Sequence, residues 1–332
     1  MSIMGKHQQQ HIRWQVGDLP LVIGPFVCAI GNFDGVHLGH QHVLRSMADD
    51  AERRGMTSGV ITFSPHPRQH FRPDEPAFLL MAEDEKIQAL FSLGITTVIT
   101  VGFTEALQQM SAADFVSDVL VTSLNVSHLF AGSDFCFGKN RQGDMAFLAE
   151  AGQKLGMTTQ PIDLLKAPDS GGLAPDVPVS SSQIRSALRE GRPQDAEKML
   201  GRPHMICGIV AHGDRRGRTL SFPTANLVME DVLHPAFGVY AVTARLQDGR
   251  CIPAVANIGR RPTVNDRGVL CEVHLFEFDE QIYDQKLCVM LHHFLRGERK
   301  FSSLDELTVQ ISQDVADAKA LMVQIDAGSD AP

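Results

Sequence analysis

The sequence predicts two fold classes in one chain. An α/β half, built on a doubly wound parallel sheet, precedes a small antiparallel β-barrel with a C-terminal helix. Three observations predict this. Apolar runs alternate with helix-period segments from Gly24 to about Leu165, and from about Cys207 the apolar period shortens to two. Between these regions lies KAPDSGGLAPDVPV (Lys166–Val179), too rich in Pro, Gly and Asp for a regular element. At 332 residues the chain also exceeds most single cores. The expected division is a tail over 1–20, a first domain over 21–187, a helical connection over 188–203, a second domain over 204–325 and a tail over 326–332.

In the first half, strands are expected at Phe26–Gly31, Gly59–Phe63, Ile95–Gly102, Val126–Ala131 and Thr158–Leu164. After His40, residues Val43, Leu44, Met47, Ala48 and Ala51 share one helical face, and Gly55 offers a C-cap. Ser111 can cap SAADFVSDVLVTSL, and GDMAFLAEAGQKLG repeats the helix-then-glycine pattern. Parallel sheets of this kind collect ligands at the carboxyl ends of their strands. GNFDGVHLGHQHV (Gly31–Val43), TFSPHP (Thr62–Pro67) and AGSDFCFG (Ala131–Gly138) fall at such ends. Two helices follow, SSSQIRSALREG and RPQDAEKMLGRP. Beyond them GVYAVTARLQ and CEVHLFEFD alternate, KLCVMLHHF is a further strand, and SSLDELTVQISQDVADAKALM is a helix beginning at a Ser/Asp cap.

Composition removes several classes of function. Thirty Lys and Arg against 39 Asp and Glu leave a net charge of −9, the wrong sign for a nucleic-acid groove. Small polyphosphates stay within reach, because a few N–H groups and cations suffice to hold them. No apolar run approaches the ~20 residues that span a bilayer. The N-terminal MSIMGKHQQQHIRW lacks the apolar core of a signal peptide. A cytoplasmic protein without nucleic-acid or membrane partners is expected. The six cysteines (Cys28, Cys136, Cys207, Cys251, Cys271, Cys288) form no C-x-x-C pair, so they are expected as small core residues rather than disulfides or zinc ligands.

His37 and His40 lie three apart where a strand gives way to a helix, with Gly39 permitting close backbone approach. Free N–H groups at a helix start attract anions, and imidazoles beside a triphosphate would have their charged form favoured. Zinc would want H-E-x-x-H or nearby thiolates, which this stretch lacks. GSDFCFGKN misses the P-loop spacing and carries Asn140 in place of Ser/Thr. Taken alone, the pair fits a plain turn as well as a phosphate cradle.

HGDRRGRTLSFPTANL (His212–Leu227) combines Gly213 and Gly217 with three arginines. Pro223 favours an extended start, so Thr224 and Asn226 project to one side, where their hard oxygens suit Mg²⁺. A loop entering a strand is the bland alternative. In CEVHLFEFD, alternation assigns Glu272, His274, Phe276 and Phe278 to one face. Glu272 there is either a solvated rim residue or a base.

The motifs in company say more. GNFDGVHLGH, TFSPHP, GSDFCFGKNRQGD and SSSQIRSALREG, in this order, resemble the FMN adenylyltransferase module of bacterial bifunctional riboflavin kinase/FAD synthetases. GRTLSFPTANL, FGVYAV, PAVANIGRRPTV, EVHLFEFDEQIYDQKL and LRGERKFSSLDELTVQISQD resemble riboflavin kinase. The resemblance implies a Rossmann-like nucleotidylyltransferase domain followed by a Greek-key barrel. It implies that His37 and His40 contact ATP phosphates, that Gly31, Phe33 and Gly39 line the nucleotide site, and that Asp134 lies near the flavin and the reacting phosphate. Ser182 and Arg185 are brought to nucleotide phosphates. In the kinase half, Gly213 and Gly217 belong to the nucleotide loop, Thr224 and Asn226 bind MgATP, and Glu272 activates the ribityl 5′-hydroxyl. Arg215 and Ser221 stand where glycine is frequent, and Asp284 replaces a common Gly. ATP, riboflavin and FMN are the implied substrates, Mg²⁺ the implied metal and FAD the final product. Two rivals remain, an enzyme with one active half and a flavin-binding sensor. Keeping His37, His40, Arg185, Thr224, Asn226 and Glu272 together disfavours both.

Overall fold

Every residue of the strand Phe26–Ile30 is buried, as a strand covered on both faces requires. In the computed structural model, which describes residues 9–21, 24–163, 165, 179–212, 222–229, 231–260 and 268–329, this strand is β2. Its companions are β1 (Gln10–Trp14), β3 (Thr57–Ser64), β4 (Thr97–Gly102), β5 (Val126–Gly132) and β6 (Thr158–Ile162). The sheet order is β1-β4-β3-β2-β5-β6, with every pair parallel. From β2 the chain winds through β3 to β4, then returns to the other side of β2 for β5 and β6. Such a reversal opens a crevice beyond the carboxyl ends of the two strands that flank it. Gly31–Val43 leaves β2 and Ala131–Gly138 leaves β5, so two expected ligand loops border that crevice.

Helices α1 (Leu38–Arg54), α2 (Pro67–Phe71), α3 (Glu83–Ser92), α4 (Glu105–Gln109), α5 (Ala112–Asp114) and α6 (Met145–Lys154) connect the strands. Gly55 closes α1 at φ 64°, the left-handed conformation that favours glycine. The Ser111 side chain accepts from the Asp114 N–H, and a π-helical stretch, Phe115–Ser123, continues α5. Phe26, Cys28, Ile61, Ile99, Leu120 and Leu129 belong to the core of this unit.

The chain divides into two compact units, residues 1–75 with 82–179, and residues 76–81 with 180–332. The second contains α7 (Ser181–Arg189), α8 (Pro193–Leu200), β7 (His204–Ile209), β8 (Ala225–Met229), β9 (Gly238–Arg245), β10 (Cys251–Arg260), β11 (Val269–Leu275), β12 (Lys286–Gly297) and α9 (Leu304–Ser329). Its antiparallel sheet runs β7-β12-β9-β10-β11-β8. The return of β12 to lie beside β9 is a Greek key. The Ala211 N–H donates to Asn226 O at 2.9 Å, so the barrel nearly closes. Leu227, Tyr240, Val242, Ala256, Val273 and Val289 fill the interior. On the outer face Ala318 and Met322 of α9 cover Val239, Ala241 and Val255. Arg296 of β12 clamps the helix, donating from Nε and Nη2 to the two carboxylate oxygens of Asp314 at 2.8 and 2.7 Å.

Several expectations are corrected. Residues 10–14, expected as tail, form edge strand β1. QHIRW shows too few apolar residues for a visible period, but Trp14 is buried and β4 supplies a pairing edge. Helix α7, expected in the first domain, clusters with the second unit, and α9 runs to Ser329, into the expected C-terminal tail. Cys207 and Cys288 form a disulfide, because the β7/β12 register sets them directly opposite each other. Of the free thiols only Cys28 and Cys271 are buried, while Cys251 is exposed. The alternation expected through Phe278 ends at Leu275. Glu277 takes φ 53°, so Phe276 packs with the α9 cluster while Phe278 packs against the barrel interior. Leu164, most of the Lys166–Val179 stretch, and Gly213, Arg215, Gly217 and Ser221 lie outside the described residues.

Candidate active sites

The first site is built on the start of α1. His37 is its N-cap, and its Nδ1 accepts from the His40 backbone N–H at 3.2 Å. An accepting Nδ1 carries no proton, so the neutral ring keeps its proton on Nε2. The His37 and His40 rings stack, with centroids 3.6 Å apart. Gly39 makes this stack possible, since a Cβ there would lie 3.1 Å from the His37 ring. Phe33 is buried and meets the His40 ring edge-on at 5.2 Å, and a Cβ on Gly31 would press against the Phe33 ring. The side chains of Phe33 and His37 thus account for both glycines locally. Phe33 and Val36 adopt φ of 51° and 43°, left-handed conformations that cost about 1 kcal/mol or more each for such residues.

His40 Nδ1 is buried without a hydrogen-bond partner. Burial holds this imidazole well below its ordinary pKa, reinforced by His37 and by Lys86. With the ring's proton on this nitrogen, it could donate to an incoming phosphate oxygen. Asp134 is exposed in the loop after β5, and a Cβ on Gly132 would come within 2.8 Å of its Oδ1. Ser182 is exposed and Arg185 buried, both on α7 of the second unit. Arg185 Nε donates to Phe78 O at 2.8 Å, and its guanidinium lies 5.0 Å from the Phe78 ring centroid.

The second site is written in strand register. Glu272 of β11 pairs with Asn226 of β8 on one side and Asn257 of β10 on the other. Directly opposed residues point to the same face, so these three side chains form a row on the outer surface of the barrel. Asn226 is buried, and its Oδ1 has no hydrogen-bond partner. Thr224, two positions back, immediately precedes β8 and is half-buried, and continued alternation would put it on the same side as Asn226. His274 Nδ1 donates to Pro223 O at 2.9 Å, fixing how PTAN enters β8. Glu298 folds over Gly259 so closely that a Cβ there would collide with its carboxylate, and Asn257 Nδ2 would be 3.8 Å from that Cβ.

Asn257, Glu298 and Lys86 lie near these candidates without having been expected there. Asn257 is visible only through pairing. Glu298 and Lys86 carry no spacing signal at all.

Residues 22–170 match the FAD synthetase family and residues 200–322 the riboflavin kinase family. A bifunctional riboflavin kinase/FMN adenylyltransferase of Haemophilus influenzae is 41% identical over 292 residues, 88% of this chain and 92% of that protein. The chain belongs to this family. The Pseudomonas fluorescens relative, of the same description, is 42% identical over 89% of this chain and 92% of its own length. A crystal structure described as a macrolide-efflux protein from Streptococcus pneumoniae superposes with a TM-score of 0.78 at 26% identity, covering 93% of this chain and 99% of that one. With that protein the chain shares its fold. Among the described residues no helix is long and apolar enough to cross a membrane. The FAD synthetase match covers β2 to β6 of the parallel sheet with the His37–His40 stack, and the riboflavin kinase match covers the barrel with the Glu272 row.

Proposed function

We propose that the barrel phosphorylates riboflavin with ATP to give FMN and ADP, and that the parallel-sheet unit joins FMN to AMP from a second ATP, giving FAD and pyrophosphate. The row Asn226–Glu272–Asn257 is the observation that carries the kinase assignment. Glu272 is the base that takes the proton of the ribityl 5′-hydroxyl as its oxygen attacks the γ-phosphorus, a role worth roughly 10²–10⁴-fold. Thr224 and Asn226 fit Mg²⁺, because both offer hard oxygens on one side of the strand and Asn226 Oδ1 is buried without a partner. Bound there with the nucleotide, the ion would neutralise phosphate charge. Asn257 borders Glu272 on the opposite flank, where its amide can orient the carboxylate.

In the adenylyl-transfer site the support is the stacked His37–His40 pair at the winding reversal. The two imidazoles stabilise charge on the α-phosphate and the departing pyrophosphate, with no covalent intermediate. A bound triphosphate favours the charged form of His40, which burial disfavours in the free protein. Asp134 sits at the neighbouring strand end, where it can orient FMN. For Ser182 and Arg185 as phosphate contacts, the support is the SSQIR pattern. ATP as a substrate of both steps supports a cytoplasmic location.

A chromatographic time course tests both steps at once: full-length protein with riboflavin, ATP and Mg²⁺. FMN should appear first and FAD after it. Flavin binding without either product would leave the sensor reading in its place.

A further inference from the structure

A buried lysine lies beneath the GNFDG loop, and nothing in the chemistry above uses it. Lys86, on α3, is 9% exposed. Its Nζ donates to Thr62 Oγ1 at 3.0 Å and to the Asn32 carbonyl at 3.4 Å. Thr62 in turn donates to the same carbonyl at 3.2 Å. A buried ammonium costs several kcal/mol unless oxygens and opposite charge offset it, so a lysine that only filled volume would be better replaced by Met. The oxygens offsetting it here come from the end of β3 and from the residue that opens the loop after β2. That loop holds two left-handed non-glycine residues, Phe33 and Val36, and ends at the His37 cap.

We propose that Lys86 is a positioning residue for adenylyl transfer, tying the Asn32 carbonyl to β3 and α3 and so fixing the loop that presents His37 and His40 to the nucleotide phosphates. The proposal rests on the adenylyltransferase reading of this site. It also gives the lysine an electrostatic consequence. Burial lowers the Lys86 pKa, and Glu83 on its own helix and Asp34 in the loop offset part of this in favour of its charge, with Glu83 itself paired to Arg13 of β1 at 3.0 Å. His11 of β1 and His40 of α1 both feel the ammonium as a like charge, and His40 faces His37 as well. Lys86 therefore helps keep His40 neutral until phosphate arrives.

The test uses full-length Lys86→Met and Lys86→Arg proteins, with both activities measured on each preparation and the His40 ring titrated by NMR. Lys86→Met should lower FMN-to-FAD conversion about tenfold to hundredfold, the scale of a small misplacement of reacting groups. Riboflavin phosphorylation should be unchanged, and the His40 titration midpoint should move up. Lys86→Arg should keep the midpoint low and recover part of the rate. Folded Lys86→Met with wild-type FAD formation and an unmoved midpoint would overturn the proposal. So would equal losses in both variants with the midpoint unmoved, the behaviour of a merely structural lysine. If Lys86→Met does not fold, Thr62→Val removes one partner of the ammonium at nearly constant volume. A several-fold loss of FAD formation in it supports the tie, and none overturns it. Wild-type protein that makes no FAD would remove the adenylyltransferase reading itself, whereas an indifferent Lys86→Met removes only the lysine's role.

Discussion

The two sites are assembled by different kinds of geometry. In the parallel-sheet unit, His37, Gly39 and His40 lie within one helical turn, and a helix cap and a ring stack fix them locally. In the barrel, Asn226, Glu272 and Asn257 come from three strands and meet only because β8, β11 and β10 pair in one register. A local site survives if its own turn folds. A register site depends on the whole sheet, since a one-residue slip of β11 would turn Glu272 into the interior beside Leu227 and turn Val273 out of it.

The largest effect should separate the sites outright. Glu272→Gln is expected to cut FMN formation by roughly 10²–10⁴-fold while conversion of supplied FMN to FAD continues. Loss of both reactions, read from the same chromatograms, would break the picture of two independent centres. Next in size, His40→Ala should lower FAD formation by about 10²–10³-fold with riboflavin phosphorylation intact. His37→Asn sharpens this, because Asn can still cap α1. If its thermal midpoint stays at the wild-type value while FAD formation falls, the imidazole and the cap are separate contributions.

A third contrast concerns buried histidines. His40 lies in a site, whereas His204 lies at the start of β7, buried, with its pKa pushed down to about 4 by burial and by Arg202. Below pH 6.5 the unfolded chain binds the His204 proton and the folded barrel does not, so stability should fall as pH drops from about 6.5 to 4. This loss amounts to about 3 kcal/mol for His204. Denaturant melts across that window check it, and His204→Phe should flatten the slope. The smallest expected effect is Gly259→Ala, whose methyl group would displace the Glu298 carboxylate that lies over Gly259. About tenfold in riboflavin phosphorylation, the lower end of a positioning effect, with FAD formation unchanged, would mark Glu298 as part of the kinase surroundings.

Much of the fold could be read from residues alone where local chemistry decides it. Gly55 ends α1 in the left-handed conformation, Ser111 caps α5, and Ser180 caps α7, because caps act over two or three residues. The barrel strands show in their alternation, because one face is dry and the other is not. What pairing decides could not be read. Strand β1 exists through the edge of β4, the Cys207–Cys288 link bridges residues 81 apart in the chain, and Asn257 faces Glu272 only through register. The left-handed turn at Glu277 was equally hidden, since nothing in LFEFD says where alternation stops. In the adenylyl-transfer site the histidine pair was legible, but Lys86 was one charge on an amphipathic helix. The role proposed for it rests on the carbonyl it reaches.

The short excursion at 76–81 has a practical consequence for dissecting the two activities. Leu79 pairs with Val232, the Leu233 N–H donates to Leu79 O at 2.7 Å, and Phe78 receives Arg185. The kinase barrel is therefore discontinuous in sequence, with one piece interrupting the other unit's stretch. A fragment starting at Ser180 would leave the Leu233 N–H and the Arg185 guanidinium without these partners and would lose the buried side chains of Phe78 and Leu80. A gene cut between the halves makes a damaged barrel, and weak activity from it would measure the cut rather than the enzyme.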